Sequence, residues 1–140
     1  MELITSLTNA KVKMALSLQQ KKYRDKYQLF ILEGIRNAEM VIAKNISVQM
    51  CFFTQKAFTN ERGKSILEQL NCPCFEVPEH IYQKISDTQS PQGLMLILPI
   101  QNHNLDDLAT INKSGLYLIL DRLQDPGNIG TIIRTADAMG

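Results

Sequence analysis

Short apolar runs that alternate with stretches of helical hydrophobic spacing constrain this chain more than any other feature, because together they demand a sheet with helices packed on it. Four runs have strand character: Gln28 to Leu32, Val48 to Phe53, Phe75 to Val77 and Gly93 to Leu98. Residues 9–20 read as a helix with Val12, Ala15, Leu16 and Gln19 on one side and Lys11 and Lys13 exposed. A second helix is expected over about 35–44, and a third over about 60–70 with Ile66, Leu67 and Leu70 facing inward. Pro78 starts a short helix over 79–86. The fold class is therefore α/β, a small layered sandwich. Glu33-Gly34 reads as a tight turn whose Glu33 caps the next helix, and Ser90-Pro91-Gln92-Gly93 as a turn into the fourth strand.

A boundary falls near residue 100. Pro99 to Lys113 looks like a connection with a short helix, Leu105 to Ile111, capped by Asn104. After Gly115, Leu116 to Leu120 is a continuous apolar run, as in a strand covered on both faces. Asp121 to Gly127 is a polar loop, and Ile129, Ile132, Ile133 and Ala136 recur at helical spacing, with Asn128 at the N-cap position. Arg134 leans back toward the start of that helix, and Gly130 leaves room for its stem. With the N–H groups of the first turn and the positive end of the helix dipole, Asn128 and Arg134 would make a phosphate or ribose clamp. The competing reading pairs Arg134 with Asp137 on a solvated face. One strand and one helix are too little to bury Ile129, Ile132 and Ile133.

Charge distribution says more than net charge, which is only +1. Residues 1–30 hold six cations, Lys11, Lys13, Lys21, Lys22, Arg24 and Lys26, against Glu2 and Asp25, a balance of +4 that leaves −3 for the remainder. Tyr23 and Tyr27 interleave with them, which gives a modest RNA-facing patch with a salt-dependent attraction to phosphate; the alternative is a solvated, Lys-rich helix end and turn. Arg36 and Asn37 follow Glu33-Gly34 as further polar residues.

Three cysteines, Cys51, Cys72 and Cys74, suit reduced thiols, with Cys51 in the apolar stretch Met50 to Phe53 like a buried core residue. Cys72-Pro73-Cys74 with His80 and His103 lacks the second close ligand pair of a structural zinc site, so no metal is expected. No apolar run approaches the roughly 20 residues that span a bilayer, and the N-terminus lacks a secretory pattern, so no membrane partner and a cytoplasmic address are expected.

The segment Leu120 to Gly140 resembles the first motif of SpoU/TrmH-type RNA 2′-O-ribose methyltransferases of the SPOUT class. That pattern is an Asp-Pro-x-Asn-x-Gly loop followed by Ile-x-Arg-x-Ala-x-Ala-x-Gly, and Asp125, Pro126, Asn128, Gly130, Ile132, Arg134, Ala136, Ala138 and Gly140 stand at the matching places. Ile4 to Lys13, Phe30 to Gly34 and Ser90 to Gly93 are similar to the substrate-binding domain that precedes the catalytic domain in that family.

The resemblance implies a small three-layer, ribosomal-protein-like RNA-binding domain over 1–99, a linker over 100–113, and the first strand and helix of a Rossmann-like knotted SPOUT domain over 114–140. It also implies that the Glu33-Gly34 corner, with Arg36 and Asn37 close by, lies near the RNA-facing side. It implies transfer of a methyl group from S-adenosylmethionine to a ribose 2′-hydroxyl of ribosomal or transfer RNA. Arg134 would contact phosphate and help the hydroxyl lose its proton, with Asn128 shaping the same pocket. The cofactor motifs would begin beyond Gly140, so the chain is expected to be a fragment that binds no S-adenosylmethionine and is inactive alone. Whole family members pair as homodimers through their catalytic domains.

A non-catalytic RNA-binding module is the alternative. A KH-type site at Gly127-Asn128-Ile129-Gly130 is disfavoured by its uncharged middle residues and by Asp121 and Asp125 beside it. A dinucleotide site or P-loop fails for want of its glycine pattern, and no Ser/His/Asp triad is indicated.

Overall fold

The computed structural model describes residues 1–102 and 117–140. It falls into two compact units, Met1–Gln101 and Asn102–Gly140. The expected helix from Leu105 to Ile111, its cap Asn104, and His103 lie outside the described residues.

In the first unit the elements run β1 (Glu2–Leu3), α1 (Ala10–Ser17), α2 (Lys21–Tyr27), β2 (Leu29–Glu33), α3 (Ile35–Ala43), β3 (Met50–Phe53), α4 (Gln55–Thr59), α5 (Glu61–Gln69), β4 (Cys74–Glu76), α6 (Glu79–Ile85) and β5 (Leu94–Pro99). The five strands form one mixed sheet in the order β1-β4-β3-β5-β2, parallel on the β1, β4, β3 side and antiparallel where β5 meets β3 and β2. This is a mixed α/β fold.

Alternation along the strands divides the core in two. Leu94, Leu96 and Leu98 of β5, with Cys51 and Phe53 of β3, pack against Ile35, Ala38 and Val41 of α3 and Ile66 and Leu67 of α5. Met95 and Ile97, with Phe52 and Phe75, pack instead with Val12, Ala15 and Leu18 and with Ile81, Tyr82 and Ile85 of α6. β5, like its neighbour β3, is thus apolar on both faces, and each of its side chains from Leu94 to Leu98 is buried. Full burial of one such residue contributes about 1.5–3 kcal/mol.

Caps explain the helix limits. Asn9 accepts from the Lys11 N–H at 2.9 Å to start α1, and Asn60 accepts from Arg62 and Gly63 to start α5. Gln28, at φ 53°, ends α2 in the left-handed region and releases the chain into β2.

The structure differs from the sequence-based expectation at several points. The Lys-rich segment Lys21 to Tyr27, for which a helix end and turn was the alternative to an RNA-facing patch, forms a separate helix, α2, because the chain breaks after Ser17 and restarts at Lys21. Short α4 and the two-residue edge strand β1 were not anticipated, since neither is long enough to show a hydrophobic period. Leu18, not Leu16 or Gln19, is the third buried residue on the α1 side.

The second unit contains α7 (Pro126–Met139), none of whose residues is buried. Tyr117 to Leu120, expected as strand, carry no strand assignment and are exposed, with Ile119 88% accessible. Among the described residues this unit contains no strand for them to pair with, and a lone strand has no ladder to hold it.

Candidate nucleic-acid interface

The two motifs read as independent turns, Glu33-Gly34 and Gln92-Gly93, meet at one corner of the first unit. β2 and β5 pair antiparallel with Glu33 opposite Met95, so the end of β2 lies beside the start of β5. Gly34 (φ 101°) and Gly93 (φ 77°) both take backbone angles that only glycine adopts at low cost. Gln92 then reaches across, and its Oε1 accepts from the Ile35 N–H at 2.9 Å. The cap on α3 is therefore Gln92 and not Glu33: the expectation for Glu33 is corrected.

Glu33 holds a different partner, the turn after α6. Its carboxylate accepts from Ser86 Oγ at 2.7 Å and from the Asp87 N–H at 3.0 Å, with Thr88 Oγ1 at 3.4 Å and Tyr82 Oη at 3.5 Å. Burial first, then the charge of Glu33, push the Tyr82 phenol well above its ordinary range, so it stays a neutral donor. Such long-range pairings leave no periodic trace in sequence. The repeated small polar residues Ser86 and Thr88 were the available signal.

Around this corner opens a cavity of about 570 Å³, lined by Glu33, Gly34, Ile35, Arg36, Asn37, Asn60, Arg62, Thr88, Ser90 and Gln92. Nearly all of these are polar, and two are cations. Arg62 is committed, because its Nε and Nη2 donate to the two oxygens of Glu39 at 2.7 and 2.6 Å. That hydrogen bond, opposed by desolvation and aided by the charges of Arg62 and Arg36, holds the Glu39 carboxyl below its ordinary value. Arg36 is exposed, and among the described residues its guanidinium has no hydrogen-bond or ion-pair partner. The acid of the wall is saturated with donors while Arg36, whose charge also acts on Glu39, stands exposed in the lining, so the cavity suits an anionic, hydrogen-bonding ligand.

The basic cluster of residues 11–26 divides by role. Lys11 pairs with Glu2 at 2.9 Å and lies 4.1 Å from the Phe75 ring centroid. Arg24 spends its Nη1 on the carbonyls of Leu18 and Gln19 at 3.0 and 2.7 Å, tying α2 to the end of α1. Lys13, Lys21, Lys22 and Lys26 remain exposed, the last three on α2. Tyr23 and Tyr27 lie stacked on the same helix, centroids 6.2 Å apart and planes inclined by 16°.

In the second unit the N-cap of α7 is Asp125, not Asn128 as the sequence suggested. The Asp125 carboxylate accepts from the Gly127 N–H at 2.7 Å, and Pro126 takes the first helical position. An anion already sits where a phosphate was expected, supplied by the chain itself. Asn128 lies inside the helix, six positions before Arg134, which puts the two about 120° apart around its axis. Arg134 does lean back as anticipated: its Nη1 stands 3.1 Å from where a Gly130 Cβ would be, and its Nη2 donates to Thr131 Oγ1 at 3.2 Å. Among the described residues Arg134 makes no ion pair with Asp137 and no hydrogen bond to Asn128.

Comparison with known proteins adds the following. The profile of the MRM3-like substrate binding domain matches residues 9–96. The 23S rRNA (guanosine(2553)-2′-O)-methyltransferase RlmP of Bacillus subtilis (strain 168) is 33% identical over 140 residues, which is 100% of this chain and 52% of that protein. The crystal structure of an rRNA methyltransferase from Sinorhizobium meliloti superposes with a TM-score of 0.83 at 30% identity, covering 99% of this chain and 52% of that one. The crystal structure of an AdoMet-bound rRNA methyltransferase from Sinorhizobium meliloti superposes with a TM-score of 0.80 at 32% identity, covering 99% of this chain and 51% of that one. The chain thus spans about half the length of the relatives it matches.

Proposed function

Because the chain belongs to the MRM3-like substrate-binding-domain family, we propose that it is the RNA-recognising part, with the opening of the catalytic part, of an enzyme that methylates a ribose 2′-hydroxyl of ribosomal or transfer RNA with S-adenosylmethionine. The observation that carries this is the family match over residues 9–96, the stretch that holds the polar corner cavity with exposed Arg36 in its lining. In this reading residues 1–99 are a three-layer, ribosomal-protein-like substrate domain, 100–113 a linker, and 114–140 the first strand and helix of a knotted SPOUT domain.

RNA phosphates are held by Arg36 and by Lys13, Lys21, Lys22 and Lys26. Lys11 and Arg24 contribute field rather than contact, since both heads are engaged within the protein. Arg134 is the RNA-side group of the catalytic part, and Asn128 supports its loop. S-adenosylmethionine supplies the methyl group in the whole protein, and no described residue is assigned to hold it. Pairing of two catalytic domains and a cytoplasmic location complete the proposal.

Deleting the gene and mapping 2′-O-methyl groups across ribosomal and transfer RNA tests the activity: one lost modification supports it, and an unchanged map refutes it. The recognition half is tested by filter binding of the chain to ribosomal RNA over a salt series. Arg36→Ala weakens binding and lowers the salt slope, whereas Arg134→Ala leaves binding nearly intact. Loss of all affinity in the Arg134 variant would move the binding site to the second unit.

A further inference from the structure

Resting on the RNA-binding reading above, we propose that Tyr23 and Tyr27 form a stacking platform that selects unpaired nucleotides of the RNA over duplex. An i, i+4 spacing puts both rings on one face of α2, and they lie nearly parallel. Neither belongs to a core cluster, in contrast to buried Tyr82, and Tyr27 is 42% exposed. Tyr23 is half-buried, so core packing accounts for part of that ring and leaves the exposed Tyr27 ring beside it unexplained.

The surroundings favour a base over other occupants. Lys22 Nζ stands 5.8 Å from the Tyr23 centroid and Lys26 Nζ 5.4 Å from that of Tyr27. An exposed ammonium–ring contact is weaker than the stacking of a base, so an incoming base takes the ring face and the flexible ammonium swings to its phosphate. Asp25, the helix's one carboxylate, lies about 180° around the axis from the rings. Arg24 fixes the mount through its bonds to the Leu18 and Gln19 carbonyls. A π-face accepts any base but only where it is unstacked, which duplex RNA does not offer.

The test is fluorescence anisotropy of the whole chain with a labelled single-stranded RNA of mixed sequence and with the same strand annealed to its complement. Tyr23→Ala and Tyr27→Ala each weaken single-strand binding about 5- to 100-fold and duplex binding less than about twofold. Tyr27→Phe retains wild-type affinity. Lys22→Ala with Lys26→Ala lowers the salt slope, whereas the tyrosine variants leave it unchanged. If the wild-type chain binds RNA and the alanine variants match it, or lose duplex affinity equally, the platform is refuted while RNA recognition stands. If wild type binds neither RNA form, both fall. Tyrosine-dependent binding of polyglutamate but not RNA would assign the surface to an acidic protein and overturn the proposal.

Discussion

Gly93→Ala probes the corner on which the candidate cavity is built. Gly93 has φ 77°, where an alanine costs about 1–2 kcal/mol. Its new methyl would overlap Thr54 Oγ1, a fully buried side chain, and enforced overpacking costs about 1–3 kcal/mol. Loss of glycine's freedom in the unfolded chain returns about 0.4–1 kcal/mol. The net expectation is a destabilisation of about 1–4.6 kcal/mol. Thr54→Ala separates the contributions: Oγ1 disappears, and the Thr54 Cβ that remains is 3.4 Å from the new methyl, an ordinary contact. Thr54→Ala by itself is near neutral, because removing a hydroxyl with no protein partner offsets the loss of a buried methyl. The double variant should therefore recover about 1–3 kcal/mol relative to additivity. Urea titrations of wild type, both single variants and the double variant, followed by far-UV circular dichroism, measure the cycle. A Gly93→Ala cost below about 0.5 kcal/mol, or strict additivity, would refute the overlap.

Three further outcomes follow from the same coordinates. Glu33→Ala should destabilise the chain by about 2 kcal/mol in urea titration, with Glu33→Gln losing roughly half as much because one acceptor oxygen survives. Its two shortest bonds, to Ser86 and to the Asp87 N–H, are the ones at stake. Glu39, whose folded pKa lies below the ordinary 4.5, stabilises the fold above that pH and ceases to do so as pH falls through the lower folded value. Stability measured from pH 5 down to 3 should accordingly fall less steeply in Glu39→Gln than in wild type. Cys51 is buried in register with Cys74, and its thiol is pushed well up by the hydrogen bond to Cys74 and by burial. Maleimide labelling with mass spectrometry should find it unmodified until the chain unfolds, and rapid native labelling would contradict that placement.

Where the chain carries its own local physics, its sequence was sufficient. The strand runs around Phe30, Phe52 and Leu96 and the helix faces of Val12, Ala38 and Ile66 are set by which side chains avoid water, and a period of 2 or 3.6 records that choice directly. The backward lean of Arg134 was legible from the direction side chains take on a helix, and the motif from Asp125 to Gly140 from its resemblance to a family pattern. What distance along the chain conceals was decided by packing. The order β1-β4-β3-β5-β2 brings Glu33-Gly34 beside Gln92-Gly93 and so makes two separate turns into one cavity. Competition among neighbours then reassigned individual groups: Asp125 took the cap from Asn128, Gln92 took α3 from Glu33, and Arg24 turned inward to two carbonyls. A hydrogen-bonding group goes to whichever partner the folded backbone brings nearest: Gln92 meets Ile35 only once β2 and β5 have paired, whereas Asp125 and Arg24 find theirs within six residues, set by the exact local backbone path.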